Sequence, residues 1–339
     1  MLPAGGDVQL LLVGFHDQRL SALPARIQLD DNADIKAEPE ECLVKNINPY
    51  LVAAPDLFVD KRMKPLADLP EVRFGSKPTD GGFLIVEPED YDSVMADPIA
   101  AKYVRPFRMG RELIHGKDRW CLWLVDATSE EIAASSILSE RTAAVRQFRL
   151  NSRKVPTQRK AETPHLFDEN HQPVTSFVAL PAVFSEGRKW ATVAHLTPDV
   201  IAGNKLYLVV DPDGFAFAII SSLMFMTWQK MIGGRLKSDP NFSNTVVWNN
   251  LPLPVVSEKD RVNICELGKD VLAARQESLD QSLSTMYAPE KLRPDLVAAH
   301  ERLDQAVDAL FGLGGAEVTD VERQQVLVAS FHALTSTAL

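Results

Sequence analysis

The chain holds 339 residues, 45% of them hydrophobic and 24% charged, proportions that exclude a disordered protein and leave room for two or three domains. No apolar run approaches the roughly 18 residues of a membrane span, and Met1–Asp7 lacks the basic start of a secretory signal, so a cytoplasmic protein with no membrane partner is expected. Cys42, Cys121 and Cys265 are odd in number, far apart and in no CxxC pattern, which argues against a disulfide framework or a thiolate zinc site.

Val8–Gly14 (VQLLLVG) is a short apolar run that predicts a buried strand. Residues 28–42 are acidic and without apolar periodicity, as in a surface connection. From Lys45 to about Pro254 the pattern is mixed, with strands expected at Phe83–Val86, Trp120–Val125, Phe177–Phe184, Lys189–His195 and Leu206–Val210. Thr128 and Glu131 have capping-box spacing at the head of a helix expected to reach Leu150. Asp211–Gly214 (DPDG) signals a turn, and Ile219–Ile232 predicts a buried apolar helix closed by Gly233–Gly234.

After Pro254 the texture is helical alone. Val262, Leu267, Val271 and Leu279 share a face of a first helix; Leu296, His300, Leu303, Val307 and Leu310 share a face of a second, opened by Pro294. Gly312–Gly315 ends the second, and a third spans about Val318–Leu334. His300, on the apolar stripe, is expected as a packed core histidine. The expected class is α+β: a mixed-sheet domain over 44–256, a C-terminal helical bundle over 257–339, and a short leading segment over 1–43.

The net charge of −10 is unevenly spread. Residues 1–43 carry 3 basic and 8 acidic side chains, 44–256 carry 25 and 24, and 257–339 carry 8 and 14. Within the middle block Arg141, Arg146, Arg149, Arg153, Lys154, Arg159 and Lys160 form a basic stripe free of acids. Such a stripe can bind phosphate despite an acidic whole, because salt screens beyond about 8–10 Å; the alternative is a solvated helix face.

Enzymatic motifs are thin. GLGG at Gly312–Gly315 follows a helix rather than a strand, so it is a helix terminator and not a dinucleotide loop. His165 and His171 share no helical face with a third ligand, and no metal is expected. Asn48-Pro49-Tyr50 approaches the Asn-Pro-Pro-aromatic motif that holds a flipped base, but the second proline and a Gly-rich cofactor loop are missing, which makes Ile47–Leu51 a structural turn.

Asn46–Ser76, Lys77-Pro78, Asp80–Gly82, Arg105–Phe107 (RPF), Trp120–Leu124 (WCLWL), Phe148–Ser152 (FRLNS), Pro181–Trp190 (PAVFSEGRKW) and Gly234–Pro254, in this order, resemble the target-recognition domain of the MmeI-like type IIL restriction–modification enzymes. Met286–Gly312 resembles the helical segment that closes those proteins, and VQLLLVGF the end of their methyltransferase domain, making 1–43 its remnant. The resemblance implies sequence-specific binding of double-stranded DNA by the recognition part of an N6-adenine, S-adenosylmethionine-dependent DNA methyltransferase. Catalysis and S-adenosylmethionine would belong to an upstream methyltransferase domain of the same protein, with no cofactor in this chain.

In that family specificity varies at alternating residues, which correspond to Glu186, Arg188 and Trp190. Residues i, i+2 and i+4 of a strand point to one face; Arg can read guanine and Glu can accept from cytosine. Trp190 replaces a long polar residue, so packing into the domain stands beside base reading at that position. Phosphate contacts are expected from Arg149, Arg153 and Lys154, and from Arg235, Lys237 and Ser238 after the Gly-Gly terminator, where a loop braced by Arg235 and Asp239 is the alternative. Two rival functions remain open: an intact small enzyme using Asn48-Pro49-Tyr50, and a protein-interaction module or specificity subunit docking a separate methyltransferase subunit.

Overall fold

A computed structural model describes residues 25–29, 40–278, 281–315 and 317–336. The expected Val8–Gly14 strand and Leu279 lie outside these residues. β1 (Ala25–Leu29) and β2 (Glu40–Val44) pair antiparallel, where a connection without regular structure is expected.

Two four-stranded sheets follow. Their strands interleave along the chain as β3 (Val72–Phe74), β4 (Ile85–Val86), α1 (Pro88–Met95), β5 (Val104–Arg108), α2 (Gly110–His115) and β6 (Trp120–Leu122). Then come α3 (Ser129–Ala134), α4 (Ser136–Leu150), α5 (Val155–Arg159), β7 (Phe177–Pro181), β8 (Ala194–Leu196), β9 (Ile201–Ala202) and β10 (Leu206–Val210). The first sheet has the order β3-β10-β7-β8 and is antiparallel throughout. The second, β4-β6-β5-β9, is mixed, because β9 runs parallel to β5. At Gly75 and Gly203 the backbones cross so closely that a Cβ on Gly75 would sit 2.4 Å from the Gly203 carbonyl oxygen, and the neighbouring Ser76 bridges to Gly203.

Alternation explains why the first sheet reads as an unbroken apolar run. Val178 and Leu180 of β7 face one core and Phe177 and Ala179 the other, so both faces are buried. The larger core is completed by α6 (Phe215–Ile220), α7 (Leu223–Ile232) and the C-terminal helices, including Val271, Leu303, Val307 and Leu327. Between α7 and those helices lies a hairpin, β11 (Gly234–Leu236) and β12 (Asp239–Asn241). The C-terminal layer comprises α8 (Glu258–Gln276), α9 (Leu283–Met286), α10 (Pro294–Leu310) and α11 (Asp320–Ser336). A second core joins the mixed sheet to Leu138 and Val145 of α4. Among the described residues no helix is long and apolar enough to cross a membrane.

Two expected helices are broken by serines. The helix from Thr128 splits at Ser135, whose extended backbone ends α3 and whose hydroxyl caps α4 by accepting from Leu138 N while it contacts Asp97. The Thr128–Glu131 capping box forms as its spacing demands. The apolar helix splits at Ser221-Ser222, where Ser222 Oγ accepts from Phe225 N and donates to the Ile219 carbonyl at 2.7 Å. Asp211 of the DPDG turn caps α6, receiving Ala216 N and Phe217 N at 2.9 Å each.

Candidate nucleic-acid interface

Residues 189–193 do not form the expected strand; only Ala194–Leu196 pairs with β7, and 185–193 run as turns and loop. This corrects the alternation argument: Glu186, Arg188 and Trp190 do not project from one pleated face. The loop is instead laced to the β11–β12 hairpin. Phe184 N donates to the Pro240 carbonyl at 2.9 Å and Phe242 N to the Ala182 carbonyl at 2.8 Å. Glu186 N donates to Asp239 Oδ1 at 3.0 Å, and the Glu186 carboxylate lies 4.0 Å from Arg235. Two segments singled out separately in the sequence thus meet, with Asp239 at the joint. Arg235 Nη1 donates to the Ser238 carbonyl at 2.8 Å. Arg235, Lys237 and Ser238 are exposed around the hairpin turn, where Lys237 takes a left-handed backbone with φ of 60°.

Arg188 is half-buried, and among the described residues its side chain donates one hydrogen bond, to Thr192 Oγ1 at 3.3 Å. Burial pulls its pKa down while Asp239 opposes the shift. A guanidinium carries five donors, so four of them have no hydrogen-bond partner among the described residues.

Arg149 is the opposite case and corrects the phosphate-contact expectation. It is fully buried, and all five donors are used: Nε to the Thr79 carbonyl, Nη1 to those of Lys160 and Thr163, Nη2 to those of Pro78 and Leu166, at 2.7–3.0 Å. Burial lowers its pKa, with Asp168 and Asp80 acting the other way. Leu138, Thr142, Val145 and Arg149 share the buried face of α4, a spacing that could have signalled this role. The rest of the stripe divides. Arg141 pairs with Asp90 at 2.9 Å and Lys160 donates to the Asp168 carbonyl at 3.0 Å. Arg146, Arg153, Lys154 and Arg159 are exposed.

The comparisons with known proteins converge. The family profile described as "MmeI, target recognition domain" matches residues 53–255, and "MmeI, C-terminal domain" matches residues 256–339. The chain belongs to the MmeI family. It is similar to DNA methyltransferase A of Bacillus subtilis (strain 168), 33% identical over 294 residues that cover 86% of this chain and 33% of that protein. A solved structure of the type IIL restriction-modification enzyme MmeI in complex with DNA matches with a TM-score of 0.81 at 34% identity, covering 92% of this chain and 42% of that one. This MmeI-family chain therefore spans less than half the length of either relative.

Within this family member, Trp190 is 1% exposed and packed into the domain, which corrects its assignment as a base reader. Its Nε1 donates to Asp304 Oδ2 at 2.9 Å, and its ring stacks on His300 with centroids 4.4 Å apart. The signal that sequence reasoning missed was Asp304 and Asp308, one and two turns beyond His300 on the buried helix face that also carries Leu296, Leu303 and Val307. Burial pushes the Asp304 carboxyl up to about 7, against hydrogen bonds from Leu223 and Trp190 and the charge of Arg323. Asn48 is spent internally, its Oδ1 accepting from Tyr50 N at 3.0 Å and Val52 N at 3.1 Å, while Tyr50 Oη accepts from Val59 N. The segment is a turn, and its carboxamide oxygen does not fit a base-holding role.

His300 supplies a pH prediction. Its Nδ1–H donates to the Ser221 carbonyl at 3.1 Å, so Nε2 accepts from Tyr287 Oη at 2.7 Å, which itself accepts from Arg275 Nε. Burial first, then Arg275, push its pKa down to about 3. The folded pKa lies below the unfolded one, so the contribution is present above the unfolded value of about 6.5 and is lost as pH falls toward 3. Asp304 titrates in the opposite sense, so the effect is isolated by comparison with His300→Gln, which keeps Asp304. The stability gap between wild type and His300→Gln should narrow by up to roughly tenfold in the folding constant per pH unit below 6.5. Urea titrations at pH 7 and pH 5 giving the same gap would contradict it.

Proposed function

We propose that this chain is the sequence-reading part of a DNA methyltransferase. It grips double-stranded DNA at the linked loop and hairpin, Glu186 and Arg188 meeting base edges and Arg235, Lys237 and Ser238 meeting phosphates. Arg153 and Lys154, with Arg146 and Arg159 beside them in sequence, supply further phosphate contacts. The observation that carries this reading is the contrast between two arginines: Arg149 has every donor occupied, whereas Arg188, on a loop braced by the hairpin, keeps most of its donors available. The family relation supports it, since the solved MmeI structure is a complex with DNA.

Methyl transfer, to the N6 nitrogen of adenine, belongs on this reading to an upstream methyltransferase domain that holds S-adenosylmethionine; none is assigned to these residues. The location is the cytoplasm.

The test is duplex selection followed by titration. Arg188→Ala should cost about 1–3 kcal/mol on the selected duplex and much less on random duplex, because a base contact discriminates and a phosphate contact does not. Lys237→Ala should weaken both about equally, and Arg153→Glu with Lys154→Glu should lower affinity and flatten its salt dependence. No enrichment of any sequence by the wild-type chain would overturn the proposal.

A further inference from the structure

Trp190 lies two residues beyond Arg188, yet its partners come from the C-terminal layer. Besides its bond to Asp304 and its stack on His300, the neighbouring Lys189 ammonium sits 4.5 Å from the indole centroid and 3.9 Å from Glu301 of the same helix. The Lys189 pair is half-exposed and contributes little; the indole is buried and supplies the grip. The second Asp304 oxygen, Oδ1, accepts from Leu223 N at 2.7 Å, at the first turn of α7. That helix ends at Ile232 and leads directly into the β11–β12 hairpin. A single carboxylate on α10 therefore ties down the root of the reading loop and the first turn of the helix that carries the hairpin.

We infer that Asp304 and His300 act through Trp190 as positioning residues for base recognition, so that the C-terminal helices set where Glu186 and Arg188 stand. This inference rests on the DNA-reading function proposed above. Base readout depends on hydrogen-bond geometry, which tolerates little displacement, whereas phosphate contacts by exposed lysines and arginines tolerate much more. Release of the anchor should therefore degrade discrimination while sparing nonspecific binding. A purely structural defect would lower the active fraction and reduce both equally.

Trp190→Phe keeps an aromatic ring to stack on His300 and loses the donor to Asp304; Asp304→Asn keeps one acceptor for two donors. Each variant of the full chain is titrated with the duplex selected by wild type and with random duplex, and amide exchange is followed across the loop and hairpin. Both variants should lose about tenfold in the ratio of selected to random affinity, with random affinity unchanged. Amides of residues 186–189 should exchange faster while those of β7 and α10 hold. Wild-type selection failing altogether would sink the DNA-reading function itself. Selection succeeding, with folded variants that keep the wild-type ratio and exchange, would overturn the anchor alone; should one variant fail to fold, the other decides.

Discussion

Arg149→Met should destabilise the protein by about 3–5 kcal/mol, because several buried carbonyls lose their donor at about 1–3 kcal/mol each, a cost partly recovered as the loops open to water. The substitution preserves the helical stem and removes the guanidinium that closes the carbonyls of Pro78, Thr79, Lys160, Thr163 and Leu166. Two loops distant in sequence would lose their shared donor and must open to find water. Arg149→Lys should recover only part of the loss, because an ammonium has three donors and no planar fork. The exposed Arg153 and Lys154 of the same stripe serve as controls, with changes within about 0.5 kcal/mol. Chemical denaturation that placed Arg149→Met within 1 kcal/mol of wild type, roughly the effect of an ordinary substitution, would rule out the keystone role.

A comparable loss should follow from Arg323→Met. Arg323 and Asp308 form a buried two-pronged pair, Nε to Oδ1 at 2.9 Å and Nη2 to Oδ2 at 2.7 Å, linking α11 to α10. Removing the cation strands the Asp308 carboxylate and also deprives Asp304 of a favourable charge, at a cost of about 3–5 kcal/mol. Replacing both members, Arg323→Met with Asp308→Leu, should return much of that stability, since two apolar side chains leave no orphaned charge. Equal losses in the single and double variants would show that packing, not charge, is at stake.

Much of the fold was legible in the sequence. The strand expected at Phe177–Phe184, which forms over Phe177–Pro181, the strand at Leu206–Val210 and the Thr128–Glu131 box follow from local chemistry, and the α10 face with His300 in the core follows from periodicity. Illegible parts depended on remote partners. Ser135 breaks a continuous helical pattern because Asp97 lies beside it, and the 185–193 loop is held by the hairpin and by α10 rather than by strand pairing. The basic stripe misled in a specific way: charge follows the chain, whereas the helix turns Arg149 inward with Leu138 and Val145 and leaves Arg146 outside, and Arg153 lies exposed beyond its end. At the candidate site, residue types pointed to Glu186 and Arg188, but their link to Arg235 and Asp239 required the fold.

The double-sided burial of the β3-β10-β7-β8 sheet also fixes an order of events during synthesis. Phe74 pairs with Tyr207, so β3 leaves the ribosome long before its neighbour exists. One face of the completed sheet then waits for α8, α10 and α11, which contribute Val271, Leu303 and Leu327 to the same core. At about 5–20 residues per second, the nascent chain spends several seconds with apolar strands uncovered. The sheet is thus closed by helices made well after its strands, and a ribosome that stops short of α11 releases a polypeptide whose larger core still lacks Leu327, Val328 and Phe331.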